Sequence, residues 1–290
     1  MKRIYPLQTV AKKHCLLSYK DELNTLYTNA RSGKRLDCKK CDDEGYLLQS
    51  NTIVLGGRRV KMPTICDCVS DEKGKIFKQI ESINMLIEQY NKIFNSLDSN
   101  MTLDIFANKY NQKDVIDSIK KYLDLGSSLS LYFSGESGVG KTTILKMLWQ
   151  IYAMNNISIF YFNASHFEDL HKNLFNKNAP TDSKTTINKK IENVKRADII
   201  MIDDIDSIGF SYATDGYYKI FDDIRASEKT VIITSNKSYT QLTNSLKNSS
   251  KKDNADYING RLTSRLLNLK IVEVELKRNT IKVETDKKII

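Results

Sequence analysis

Residues Gly135, Glu136, Ser137, Gly138, Val139, Gly140, Lys141 and Thr142 fit the pattern GxxxxGK[ST]. In this pattern glycines let successive backbone N–H groups curl around phosphate oxygens, and a lysine reaches the β and γ phosphates. The loop follows the apolar run 129–133 and opens a helical pattern, so the positive end of a helix dipole would join those amides. On this reading Thr142 offers its hydroxyl to Mg²⁺ and Thr143 lies close to the α phosphate. The alternative is a Gly-rich strand-to-helix turn, and a full match in this setting weighs against it. The chemistry implied is the binding of a nucleoside triphosphate.

A second group lies about 60 residues on, where Ile199-Ile-Met-Ile runs into Asp203 and Asp204. Four apolar residues ending in two carboxylates read as a Walker B strand, expected beside the loop-bearing strand. Asp203 would then join the Mg²⁺ coordination sphere, and Asp204 would orient or deprotonate an attacking water. Asp206 reads as a solvated turn residue. A third apolar run, Val231 to Ile233, ends in Thr234, Ser235 and Asn236. In Gly260-Arg261-Leu-Thr-Ser-Arg265-Leu266 two arginines four apart share one helix face. An arginine from a neighbouring subunit is a known accelerator of phosphoryl transfer; a pair of surface arginines is the plainer reading.

These residues need a scaffold, and from about Met101 the sequence alternates between strand and helix patterns. Helices are expected over 114–123, 141–153, 165–175 and 216–227, and strands over 129–133, 157–162, 199–202 and 230–234. Two further strand-like runs cover 270–276 and 280–284. The alternation predicts a parallel sheet covered by helices on both faces, with ligands beyond the carboxyl ends of the strands. The polar stretch 176–190, with Pro180, reads as a loop. Ahead of this domain, 71–97 carries Ile76, Ile80, Ile83, Leu86, Ile87, Tyr90 and Phe94 at helical spacing, an amphipathic connector.

Four cysteines cluster at 36–70, in a hairpin-rich stretch. Cys38, Cys41, Cys66 and Cys68 give CxxC…CxC, a spacing that can place four thiolates around a structural Zn²⁺. So small a module gains much of its folding free energy from such a metal. Reduced, unligated cysteines and a redox couple are the rivals, though no thioredoxin-like pattern surrounds the motif. Cys15, His14, His166 and His171 read as non-ligands.

The chain has 290 residues, 40% hydrophobic and 28% charged, enough for one medium domain and a smaller one. No apolar run approaches the ~20 residues of a membrane span, and the amino terminus has no signal-peptide pattern, so a cytoplasmic location and no membrane partner are expected. A formal charge of +10 favours an anionic partner, nucleic acid first.

The order of loop, Walker B strand, polar-ended strand and GRLTSRL resembles the DnaC/DnaI helicase loaders and the IstB-like transposition ATPases, which share an AAA+ branch with the initiator DnaA. The stretch Cys38-Lys-Lys-Cys41-Asp-Asp-Glu-Gly45-Tyr46, with Cys66-Asp-Cys68, resembles a module that relatives often carry ahead of the ATPase. The resemblance implies an α/β AAA+ P-loop fold with a five-stranded parallel sheet between helices, preceded by a zinc module and a helix. It divides the chain into a helicase-binding region, 1–98, and an ATPase domain, 99–290. It implies that Asn236 is the sensor 1 residue, with Ser235 or Thr234 as alternatives, and that Arg265 rather than Arg261 is the finger acting in trans in a homo-oligomer. Many relatives have Glu where Asp204 stands. The stretch 163–175 falls where this branch carries an extra helical element facing single-stranded DNA, with Phe167 a candidate for stacking. Only about 25 residues follow Arg265, too few for the helical lid of many AAA+ proteins.

The function implied is an ATP-dependent loader of a DnaB-type replicative helicase that binds single-stranded DNA, with ATP, Mg²⁺ and structural Zn²⁺ as cofactors. An IstB-like ATPase assisting a transposase in target selection is the alternative of the same core. A nucleotide-gated scaffold with little turnover is the alternative of another class.

Overall fold

A computed structural model of the chain describes residues 15–32, 46–55, 58–65, 72–95, 101–124, 129–166, 192–207, 220–224, 226–227, 229–249, 264, 266, 269 and 271–277. The chain divides into two compact units, residues 14–100, and residues 101–290 with 1–13.

In the first unit helix α1 (Leu16–Ser32) packs against helix α2 (Glu72–Phe94). Leu16, Leu23, Ile80, Ile83 and Tyr90 are buried, and the rings of Tyr27 and Phe77 lie 6.2 Å apart. The buried positions of α2 fall on the apolar stripe read from the sequence, and α2 is the expected connector with its ends trimmed. Helix α1 has no counterpart among the sequence expectations. Strands β1 (Tyr46–Leu55) and β2 (Arg58–Ile65) form an antiparallel hairpin, with Leu55 opposite Arg58 and a register slip between Leu48 and Thr52. A slip of this kind bends and twists a ribbon locally. The four cysteines of the CxxC…CxC motif lie outside the described residues. Among the described residues no helix is long and apolar enough to cross a membrane.

The second unit opens with two helices, α3 (Leu103–Tyr110) and α4 (Lys113–Asp124). The Thr102 hydroxyl caps α3 by accepting from the Ile105 N–H at 3.2 Å. Asn111 ends α3 in the left-handed conformation, at φ 47°. There follow β3 (Ser130–Gly135), α5 (Lys141–Met154), β4 (Ile159–Asn163), β5 (Ile199–Asp203), β6 (Thr230–Ser235), α6 (Tyr239–Ser249) and β7 (Ile271–Leu276). Strands β3 to β7 make one five-stranded parallel sheet in the order β4-β5-β6-β3-β7. This is the expected α/β architecture.

One expectation about neighbours is corrected. The Walker B strand β5 does not lie beside the loop-bearing strand β3; β6 pairs with both and separates them. Burial permits this order without dictating it, because Ile199 to Ile202 of β5 are buried as completely as β6. Val231, Ile232 and Ile233 are fully buried, so this strand is apolar on both faces and fits the interior of a parallel sheet. Alternation along the strands then sorts the core: Tyr132, Phe162, Ile200, Ile202, Val231 and Ile233 enter one cluster with Ile220, Phe221 and Ile224. Helix α5 packs on β3 to β6, and none of its residues belongs to that cluster, which places it on the opposite face. Each fully buried Ile or Phe contributes about 1.5–3 kcal/mol.

The sheet is tied at its far edge by Lys229. Its ammonium donates to the carbonyls of Val194 at 2.7 Å, Lys195 at 2.5 Å and Ala197 at 2.7 Å, where the helical turn 192–196 ends and leads into β5. A cation at the carbonyl end of a helical turn satisfies acceptors that the helix cannot. Lys229→Met keeps the aliphatic stem and strands those carbonyls, so a urea melt is expected to show a loss of about 1–3 kcal/mol. An unchanged midpoint would mean that the tie contributes nothing.

Candidate nucleotide-binding site

In a parallel sheet every strand ends at the same edge, and here that edge gathers the polar residues. Asn163 is level with Asp203, and Ser134 with Ser235. The loop 136–140 joins β3 to α5, and its turn depends on two glycines with positive φ, Gly138 at 84° and Gly140 at 96°. At Gly140 a Cβ would fall 2.6 Å from the Phe106 ring of α3, so a side chain is excluded by contact as well as by backbone conformation. At Gly138 a Cβ would meet nothing within 4 Å, so the loop faces open space there. No side chain caps the amino end of α5, whose N-cap is Gly140.

Lys141 begins α5 and is 6% exposed. Its ammonium donates three hydrogen bonds: to the carbonyls of Gly135 at 2.7 Å and Glu136 at 2.8 Å, and to Asn236 Oδ1 at 2.8 Å. That is the full capacity of the group. Burial holds the Lys141 pKa below its ordinary value, while Asp204, Asp206 and Asp203 act in the opposite sense.

Asp203, 2% exposed, is held by three hydroxyls. Thr234 and Thr142 donate to Oδ1 at 2.6 and 3.1 Å, and Tyr161 donates to Oδ2 at 3.1 Å. Burial, reinforced by the Asp203 charge, pushes the Tyr161 phenol well above its ordinary pKa, so it stays a donor. Thr234 also accepts from the Asp204 N–H at 2.9 Å. Asp204 stands at φ 53°, a left-handed conformation that Asp tolerates better than most residues. Its carboxyl pKa is raised, first by burial and then by Asp203 and Asp206, with Lys141 opposing.

Lys141, Thr142, Asp203, Asp204 and Asn236 thus share one edge of the sheet, on the carboxyl side of β3, β5 and β6. Glu136 and Ser137 are exposed in the loop, Val139 is buried beneath it, and Thr143 is half-buried on the first turn of α5. Thr234, an alternative to Asn236, is bonded to Asp203 and to the Asp204 N–H. Asp206 stands on a turn as expected, but it is half-buried and partnered and not simply solvated: its Oδ1 accepts from the Ser235 hydroxyl and the Asn236 N–H, both at 2.8 Å. Tyr161 was not legible as a site residue. Arg261, Arg265, Phe167 and the four clustered cysteines lie outside the described residues, and among the described residues no group of three or more His, Cys, Asp or Glu is placed to hold a metal ion.

With this geometry in view, residues 131–257 match the ATPase family associated with various cellular activities (AAA). The chain carries an AAA domain. It is also 28% identical over 116 residues to the chromosomal replication initiator protein DnaA of Acholeplasma laidlawii, a stretch of 39% of this chain and 25% of that protein. The match therefore spans about a quarter of that relative's length. Among solved structures, DnaI is similar at a TM-score of 0.45 and 20% identity, covering 57% of this chain and 84% of that one. The initiator DnaA bound to AMPPCP and single-stranded DNA is similar at a TM-score of 0.42 and 22% identity, covering 57% and 46%.

The raised Asp204 pKa has a stability consequence with a definite sign. A carboxyl that holds its proton more tightly when folded favours the folded state in acid, and that contribution disappears as pH rises through the folded pKa. At neutral pH the charged Asp204 therefore opposes folding. Asp204→Asn, which keeps the left-handed backbone accessible, is expected to raise the melting midpoint at pH 7, with the gain fading as pH falls through the raised folded pKa and gone below the ordinary carboxyl pKa of 3.8. Thermal melts of both proteins across pH 3–7 check this, and a pH-independent difference would contradict it.

Proposed function

We propose that the protein is an ATP-dependent loader of a replicative helicase. Its AAA domain binds and hydrolyses ATP with Mg²⁺, and its amino-terminal region, 1–98, engages a DnaB-type hexamer. The observation that carries the nucleotide reading is the pair of facing clusters at one sheet edge, Lys141 with Asn236 and Thr142 with Asp203, at the mouth of the glycine loop. The similarity to an initiator of chromosomal replication supports a place in DNA replication, and the loader-like order of motifs supports the partner.

The residues present fit a triphosphate with its metal. The open face at Gly138 and the uncapped start of α5 offer N–H donors. Lys141 exchanges the Gly135 and Glu136 carbonyls for β- and γ-phosphate oxygens. Thr142 and Asp203 are the residues that would hold Mg²⁺, which supplies positive charge against the phosphate oxygens. Thr234 and Tyr161 keep Asp203 aimed while the Thr142 hydroxyl turns away from it. Asp204 accepts the proton of the attacking water as its oxygen bonds to the γ phosphorus and the bond to the ADP oxygen breaks; a raised pKa suits a group that must take up a proton. Arg265 of a neighbouring copy meets the γ phosphate in an oligomer, so loss of that phosphate removes a contact between copies and releases the helicase. Lys and Arg, with Phe167 stacking, hold single-stranded DNA.

The shorter Asp204 favours a second reading, a nucleotide-gated scaffold with little turnover, and one assay decides between them. Phosphate release is measured with and without single-stranded DNA. Turnover that falls by about 100-fold or more in Asp204→Asn, with ATP binding retained, is the outcome expected for a general base. No turnover in either condition leaves the scaffold. Loss of MgATP binding is expected in Lys141→Ala; failure of the unmodified protein to bind it removes the nucleotide reading altogether. Capture of the host's hexameric helicase in the presence of ATP and Asp204→Asn tests the partner, and its failure with nucleotide binding intact rejects only the loader role.

Cys38, Cys41, Cys66 and Cys68 are proposed to hold one structural Zn²⁺. Metal analysis is expected to give about one zinc per chain, lost on Cys38→Ser with Cys41→Ser. A metal-free, folded protein would reject the site.

A further inference from the structure

The side chain of Asn236 lies between two groups of opposite hydrogen-bonding character. Lys141 Nζ, 2.8 Å from Oδ1, can only donate. The Asp206 carboxylate, whose Oδ2 is 3.2 Å from Nδ2, can only accept. The two ends of an amide are nearly alike in shape, and its orientation is normally assigned from its surroundings. Here both neighbours demand the same orientation. Asp206 is itself held firmly: it stands on the 3-10 turn Ile205–Ser207 that follows β5, beside the fully buried Ile205. Its Oδ1 accepts from the Ser235 hydroxyl and the Asn236 N–H at 2.8 Å each.

We infer that Asp206 is a positioning residue that fixes the amide polarity of Asn236, so that Asn236 presents oxygen to Lys141 and acts on a bound nucleotide through that ammonium. This rests on the reading of the site as an ATP site and extends it with a residue that touches neither phosphate nor metal. Were the amide to turn over, its NH₂ would face an ammonium, and the lysine would be driven from the position where it meets the terminal phosphates. Lys141 meets both β and γ oxygens, so its displacement removes two phosphate contacts from ATP and one from ADP, and ATP binding weakens more. Asp206 therefore sets discrimination between ATP and ADP.

The test is a polarity swap in the full-length protein, with MgATP and MgADP affinities measured by calorimetry. Asp206→Asn keeps an oxygen for Ser235 and the Asn236 N–H and turns the other end into a donor, which forces the neighbouring amide over. ATP binding is expected to weaken by about tenfold and ADP binding by under about threefold, the scale of one misdirected hydrogen bond to a charged group. Adding Asn236→Asp restores complementarity, since the new donor then faces a carboxylate whose other oxygen accepts from Lys141. The double variant is expected to bind ATP more tightly than either Asp206→Asn or Asn236→Asp alone.

A general structural role for Asp206 would weaken ATP and ADP alike and would not be rescued by the swap; either result overturns the inference. Should Asp206→Asn not fold, Ser235→Ala leaves both charges in place and loosens the anchor. A loss of ATP over ADP preference then supports the assignment, and an unchanged preference overturns it. Failure of the unmodified protein to bind MgATP would instead sink the reading of the site, whereas normal binding with an unaffected Asp206→Asn sinks this assignment alone.

Discussion

A buried ammonium and a buried carboxylate at one edge of a sheet must each find partners inside the protein, because water is largely excluded from both. Lys141 spends its three protons on two loop carbonyls and the Asn236 oxygen. Asp203 is filled by the hydroxyls of Thr142, Thr234 and Tyr161. Leaving either group short would carry the penalty of a stranded buried polar group, about 1–3 kcal/mol and more for a charge. The loop, three strand ends and the first turn of α5 are therefore placed together by hydrogen-bond demand as much as by apolar packing.

Strand β6 is where these demands meet. It pairs with β3 on one side and β5 on the other, and its last residues serve both clusters: Thr234 bonds to Asp203, while Asn236, just beyond its end, bonds to Lys141 and Asp206. Asp204 shows the other side of the arrangement. It stands in a left-handed conformation with its charged form disfavoured by burial and by two neighbouring carboxylates. That combination opposes folding at neutral pH and suits proton transfer, a trade common at functional sites.

The sequence made the residues with fixed spacing legible. GxxxxGK[ST] and an apolar run ending in two aspartates are local patterns, because a phosphate cradle and a carboxylate-tipped strand are each built from consecutive residues. Strand order was less legible: β5 and β6 are equally apolar, and nothing local says which of them borders β3. Tyr161 escaped notice, and Asp206 was read only as a solvated turn residue, for a related reason. Tyr161 reaches Asp203 from the neighbouring strand, two residues before the register partner Asn163, a relation that exists only once β4 and β5 are aligned. Asp206 gains its partners only because β6 ends beside the turn after β5. Helices α1 and α6 were hidden by composition, being rich in Asn, Thr and Ser, which favour caps and turns over helix interiors. Helix α3 was hidden by its eight-residue length.

The contact between Phe106 and Gly140 couples two segments that are distant in sequence. The ring is fully buried against a glycine that has no side chain to absorb a displacement. Sliding or tilting α3 would press on the loop backbone directly, and reshaping the loop would push back on α3. The segment around residue 106 is thus mechanically geared to the hinge between β3 and α5, and a force applied to it reaches the nucleotide cradle without passing through the sheet.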